Sequence, residues 1–168
     1  MDTREKKRRN IHLNNIRRVC KHVVHLLNNL LDVYRLNEAK EIRNDVPFDL
    51  HELLERTAAG FSHIINNKGI LFNCDFKDTE VKLYGDADRI EQIIDNLLTN
   101  AVKFTETGTI NFNVHYLNGL VVMEIVDTGV GMSEETLSRI FRPFERQTSA
   151  TNADGFGLGL PITQGLVN

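Results

Sequence analysis

Asn96, Asn100 and Lys103, projected at about 100° per residue, fall with Arg89 and Gln92 inside an arc of roughly 80° on one helical face. A solvent face ordinarily carries Lys and Glu. Two amides one turn apart beside an ammonium instead offer carbonyl oxygens to a hard cation and a positive charge to a phosphate. Without that composition, the amphipathic pattern would say only that the helix packs on a sheet. A second group is Asp127-Thr128-Gly129-Val130-Gly131-Met132, an acidic residue running into Gly-x-Gly, where the backbone can turn tightly and a flat ligand can come close. A carboxylate there can accept hydrogen bonds from an exocyclic amine such as that of adenine, although such turns also end many ordinary strands. The third group, Gly155-Phe156-Gly157-Leu158-Gly159-Leu160, is a glycine-rich loop entering a helix N-terminus, where free N–H groups and the helix dipole attract phosphate. No Lys-Ser/Thr follows its last glycine and no βαβ context precedes it, so it is neither a P-loop nor a dinucleotide fingerprint.

These groups need elements to hold them. The amide face belongs to a helix over residues 87–104, with Ile90, Ile93, Ile94, Leu97, Leu98 and Ala101 on its far side. Alternating runs over 109–116 and 120–126 read as strands joined at Asn118-Gly119, a hairpin turn signal. Upstream, Pro47 breaks the pattern and Asp49 can cap a helix reaching about residue 66; 66–69 reads as its stop, and 70–75 and 81–84 as short strands. Residues 128–156 lack regular periodicity and suggest a functional loop, and a last helix starts near Leu160-Pro161. Residues 11–41 contain no Gly or Pro and carry a heptad seam, Ile16, Cys20, Val23, Leu27, Leu30 and Tyr34, flanked by Val19, Leu26 and Val33. So wide an apolar face suits a helix of a four-helix bundle, whose partner must be another helix or the same helix of a second chain.

Composition narrows the classes. Of 168 residues, 41% are hydrophobic and 26% charged, which fits one α/β domain with an appendage. A net charge of −3 draws the chain to neither nucleic acid nor an anionic membrane. The basic run at residues 4–9 reads as a solvated helix end. Cys20 and Cys74 form no CxxC pair, against zinc, redox and disulfide-framework readings. The cysteine usage suits a reducing compartment, expected to be the cytoplasm; no apolar stretch approaches membrane-spanning length, so any inner-membrane anchor of a parent protein is expected outside these residues.

The order of the groups resembles the histidine-kinase branch of the superfamily that also includes DNA gyrase, mismatch-repair ATPases and heat-shock chaperones. The likeness runs through nearly all of residues 11–168. Residues 88–105 match the family's N box, and 127–132 its first glycine box. Phe141-Arg142-Pro143-Phe144-Glu145 looks like the F box specific to histidine kinases, and residues 26–36 are similar to the second helix of their dimerisation and phosphoacceptor domain.

The resemblance implies an α/β (α+β) two-layer ATP-binding sandwich over residues 46–168, a mixed sheet with helices on one face, preceded over 1–45 by one long bundle helix that pairs in a homodimer. It implies ATP and Mg²⁺ as cofactors. Asn100 would coordinate Mg²⁺, and Lys103 and Asn96 would contact phosphate oxygens. Asp127 would read the adenine amine in a pocket shaped by Gly129, Gly131 and Met132. Gly155, Gly157, Leu158 and Gly159 would present backbone amides to phosphate, while Phe141 and Phe144 pack a lid over 133–154.

Where gyrase-like relatives place a water-activating Glu, this chain has Asn96, a poor general base, so fast ATP hydrolysis is not expected. The family's acceptor string, His-Glu followed shortly by Thr- or Asn-Pro, does not occur. His51-Glu52 reads as an exposed helical pair, His12, His22 and His25 as flank positions, and His63 and His115 lack metal partners at ligand spacing. The family also continues past the equivalent of residue 168 through the rest of a helix and two strands. The expected function is therefore ATP-dependent phosphoryl transfer to a histidine outside this chain, in a signalling kinase that serves a response regulator. The rivals are a non-catalytic nucleotide-binding or dimerisation module and a gyrase-type ATPase.

Overall fold

A computed structural model describes residues 43–145 and 157–167, and Leu27 alone among the first 42. The chain divides into two compact units, Met1–Lys40 and Glu41–Asn168. The expected bundle helix over 11–41 and its dimer seam lie outside the described residues, and so do the basic run and Gly155.

In the second unit, β1 (Val46–Asp49) leads directly into α1 (Leu50–Asn67). Asp49 ends the strand and caps the helix, its side chain accepting from the Glu52 N–H at 3.0 Å. Leu50, Leu53, Leu54, Thr57, Ala58 and Ile65 form the buried stripe of α1 at helical spacing. The helix ends in a Schellman motif: Gly69, at φ +75°, donates to Asn66 O, and Ile70 donates to Ile65 O. Next come β2 (Leu71–Lys77), β3 (Lys82–Gly85) and α2 (Ala87–Phe104).

Asp86 caps α2 by accepting from the Arg89 N–H. Burial works against its charge, yet the N–H groups of Asn44 and Arg89 and the Arg89 guanidinium hold its carboxyl below the usual carboxylate range. The hairpin β4 (Thr109–Leu117) and β5 (Leu120–Asp127) follows, then the four-residue α3 (Glu134–Leu137) and finally α4 (Gly159–Val167).

The strands form a mixed sheet in the order β2-β4-β5, with β2 parallel and β5 antiparallel to β4. Ile110, Phe112 and Val114 of β4 are fully buried at period two. They meet the buried stripes of α1 and α2 in one core, with Phe72, Phe76, Met123 and Ile125 beside them. Helices thus cover one face of the sheet, as expected.

The mixed sheet does not take in every strand. β3 lies outside it, paired antiparallel with β1 in a separate two-stranded ribbon. A four-residue strand containing Pro47 reads as a breaker, because Pro supplies no ladder N–H; in a ribbon, an edge position tolerates that. α3 also went unforeseen. It rests on a local cap, the Ser133 side chain accepting from the Thr136 N–H, which leaves no periodic apolar pattern. Among the described residues no helix is long and apolar enough to cross a membrane.

Candidate active site

The C-terminal end of α2 and the turn after β5 are held against each other by backbone. The Phe104 carbonyl accepts from the Val130 N–H at 3.3 Å. A Cβ on Gly129 would stand 2.5 Å from Phe104 O and 2.7 Å from Asp127 Oδ1, so this approach requires a residue without a side chain. Asp127 lies opposite Ile110 in the β4–β5 register, which puts its side chain on the helix-facing side of the sheet. Asp127 Oδ1 accepts from the Gly129 N–H at 2.8 Å and from the Thr105 hydroxyl at 3.4 Å. Asp127 Oδ2 has no hydrogen-bond partner among the described residues. A carboxylate anchored through one oxygen and open at the other is set to accept an N–H from a ligand.

Midway along α2 the polar face meets α4. Asn96 Nδ2 makes long contacts of 3.5 Å to the Gly159 carbonyl and the Thr163 hydroxyl. At Asn96, therefore, the expected amide face is covered by a second helix and is not an ordinary solvent face. Leu158 and Ile162, both buried, hold α4 in place. Asn100 follows one turn later on the same face, half-buried, and its side-chain amide makes no hydrogen bond among the described residues. The Lys103 ammonium sits 4.9 Å from the centroid of the Phe104 ring.

The glycine-rich loop is described from Gly157 onward. The Phe144 N–H donates to the Gly157 carbonyl at 3.1 Å, and a Cβ on Gly157 would run into the Glu145 carbonyl. The two ends of the segment 145–157 are thus joined. Phe141 and Phe144, expected to pack the lid, are 45% and 62% exposed among the described residues. Gly131 turns the chain at φ +65°, and Met132 beside it is exposed.

Sequence reasoning missed two contributors. Thr105, fully buried, supplies the hydroxyl that meets Asp127; it closes the expected N box, but nothing in the pattern marks it as a partner of the turn. The second is Lys68, read from sequence only as part of a helix stop, whose ammonium reaches the carbonyls of Val102 and Thr105 at 2.6 and 3.1 Å. His51 also departs from the expected exposed pair. It is half-buried, with Nδ1 2.8 Å from the Thr79 hydroxyl and its ring edge-on to Phe76. It borders an open cavity of about 510 Å³ with Asp78, Glu80, Val81 and Tyr116. Tyr116 lies six residues along β4 from Ile110, roughly 20 Å from the Asp127 end, so this cavity is separate from the site.

With this geometry in hand, comparison with known proteins gives concordant matches. The family described as "Histidine kinase-, DNA gyrase B-, and HSP90-like ATPase" matches residues 85–168. The signal transduction histidine-protein kinase BarA of Escherichia coli strain K12 is 36% identical over 165 residues, covering 94% of this chain and 18% of that protein. Among solved structures, full-length ShkA in complex with AMPPNP superposes with a TM-score of 0.76 at 30% identity, covering 94% of this chain and 33% of that one. The catalytic domain of the histidine kinase ThkA, nucleotide free, superposes with a TM-score of 0.62 at 27% identity, covering 74% of this chain and 80% of that one. The chain spans about a fifth of the length of the curated relatives it matches.

Proposed function

The chain belongs to the histidine kinase-, DNA gyrase B- and HSP90-like ATPase family, and on that premise we propose that it is the Mg-ATP-binding catalytic segment of a two-component sensor histidine kinase. It would transfer the γ-phosphoryl group of ATP to a histidine outside these 168 residues. The observation that carries this reading is the double engagement of α2: its end is clasped by the Asp127 turn and its amide face lies against the N-terminal turn of α4.

The open Oδ2 of Asp127 is the acceptor for the adenine amine, in a turn that Gly129 and Gly131 shape and Met132 borders. The amides of Gly157, Leu158 and Gly159 would meet phosphate at the start of α4; Gly155, expected to join them, lies outside the described residues. The site also suits Mg²⁺. Asn100 offers one neutral amide oxygen with no hydrogen-bond partner among the described residues, which fits an ion that keeps waters and phosphates as its other ligands. There the ion would neutralise phosphate charge, and Lys103 would add a second positive group. Asn96 is an amide turned towards α4 and cannot take a proton from water, which favours a histidine nucleophile over hydrolysis. The same reading assigns a homodimer through the N-terminal helix, a phosphoacceptor helix and a response regulator as partners, in the cytoplasm. It is supported by the sensor-kinase relatives.

The test uses the 168-residue chain with labelled ATP, Mg²⁺ and a separately supplied acceptor helix. ATP should bind in preference to GTP. Asp127→Asn should weaken binding by roughly 10- to 100-fold, the worth of a hydrogen bond to a charged group. Asn100→Ala should abolish the Mg²⁺ dependence of binding and phosphorylation of the acceptor. Binding with no transfer to any acceptor would mark a non-catalytic nucleotide module, whereas steady phosphate release would mark a hydrolase.

A further inference from the structure

Lys68 lies outside every nucleotide-facing group, yet it joins the end of α1 to the end of α2, the helix that carries Asn96, Asn100 and Lys103. Its main-chain N–H caps α1 by donating to the last-turn carbonyls of Ile64 and Ile65. Its side chain crosses to α2, where the ammonium donates to Val102 O at 2.6 Å and Thr105 O at 3.1 Å. Those carbonyls belong to the C-terminal end of α2, where backbone acceptors lack helical donors and the helix dipole is negative, so a cation is favoured there. On its other side the same end is bound by the turn after β5, through Val130 N–H to Phe104 O at 3.3 Å. Thr105, whose carbonyl Lys68 holds, uses its hydroxyl on Asp127.

From this arrangement we infer that Lys68 is a positioning residue for nucleotide binding. By clamping the end of α2 it fixes the spacing between Asn100 and Lys103 on the helix and the Asp127 carboxylate on the turn. A nucleotide whose adenine meets Asp127 and whose phosphates meet α2 must bridge that joint. Loosening it leaves both halves of the site intact but no longer at the separation that one ligand needs, and misplacement of about 1 Å is enough to weaken such a site. The ammonium is suited to the task because it can bond two carbonyls that point in different directions, and its charge opposes the helix dipole.

The inference rests on the nucleotide-binding reading above, and the experiment separates the two. Affinity for a fluorescent ATP analogue is measured with Mg²⁺ on the full chain and on Lys68→Met, Lys68→Gln and Lys68→Arg, well below the melting temperature of each variant. Failure of the unsubstituted chain to bind would sink the nucleotide-binding reading itself. Given binding, Lys68→Met and Lys68→Gln should weaken it by roughly three- to tenfold, as expected for losing a charge at a helix end, and Lys68→Arg should restore at least half of the lost affinity. Unchanged affinity with a lowered melting temperature would reduce Lys68 to a structural cap and overturn the inference. A loss in Lys68→Arg equal to that in Lys68→Met would overturn it as well, since the charge would then not be what acts. If Lys68→Met does not fold, Lys68→Gln, which keeps an amide donor at this exposed position, decides the matter alone.

Discussion

At one end of the β4–β5 pair, Asn118 and Gly119 join the strands in an open two-residue turn; at the other, Gly129 carries the chain out of β5 against the last carbonyl of α2. Both ends announce themselves in the sequence by a glycine after a short polar or acidic residue. In the hairpin, φ is +52° at Asn118 and +82° at Gly119, and a Cβ on Gly119 would meet nothing within 4 Å. Here glycine supplies a backbone conformation. At Gly129 the φ is ordinary and the obstacle is space, with Phe104 O 2.5 Å from where a Cβ would be. Leu117 and Leu120, which flank the hairpin, are 65% and 67% exposed, whereas Thr105, behind Asp127, is wholly buried. One end of the sheet is a free turn. The other is a joint where three elements share hydrogen bonds, and the proposed nucleotide site lies at the joint.

The largest effect expected from this contrast is at Gly129. In Gly129→Ala the new methyl would press on backbone that is itself fixed by the Val130 N–H and by Lys68, so relief requires moving the turn away from α2. Overpacking of this kind costs about 1–3 kcal/mol, and the displaced turn would carry Asp127 with it. Nucleotide binding should therefore fall by more than the stability loss alone explains, as judged by urea unfolding beside analogue titration. If Gly129→Ala bound nucleotide like the unsubstituted chain, the idea that the joint sets the site would be broken.

The joint is also where reading from sequence stopped short. The helix over 87–104 emerged with its observed ends, because its apolar stripe is regular. The strands of the hairpin and their Asn-Gly turn were equally plain, since β4 alternates Ile110, Phe112 and Val114 with polar residues. Helix α1 came within a residue at each end through Asp49 and the glycine stop. What the pattern did not show are contacts between residues distant in the chain: Lys68 to Val102, Thr105 to Asp127, and the pairing of β1 with β3. Periodicity and caps are local signals, and a lysine in a helix stop looks the same whether or not its ammonium finds another helix. The acidic turn and the amide face stood out as candidates for chemistry, but the backbone clasp joining them did not.

A smaller effect is expected at Gly119. Placing alanine at φ +82° forces a side chain into the left-handed region at a cost of about 1 kcal/mol, with no steric clash to add. Thermal unfolding should record that loss, and nucleotide affinity should stay unchanged, because the hairpin lies at the far end of β4 from Asp127. A matching fall in affinity would show that the two ends are coupled through the sheet, and the contrast between them would have to be redrawn.

The smallest effect is expected at Leu120, the first residue of β5. In the β4–β5 register it lies opposite Leu117 on the face of the sheet turned away from the helices, and 67% of its surface is exposed. Leu120→Thr removes apolar surface that already faces water and keeps a residue at home in strands, so its stability change should stay within about 0.5 kcal/mol. Equilibrium unfolding in urea at two protein concentrations is the measurement that decides it. A loss above about 1 kcal/mol, far outside the usual range for an exposed site, and appearing only at the higher concentration, would mean that this end of the sheet is covered in solution by another copy of the chain. The hairpin would then be an interface, and the difference between the two ends would lie in what each one packs against.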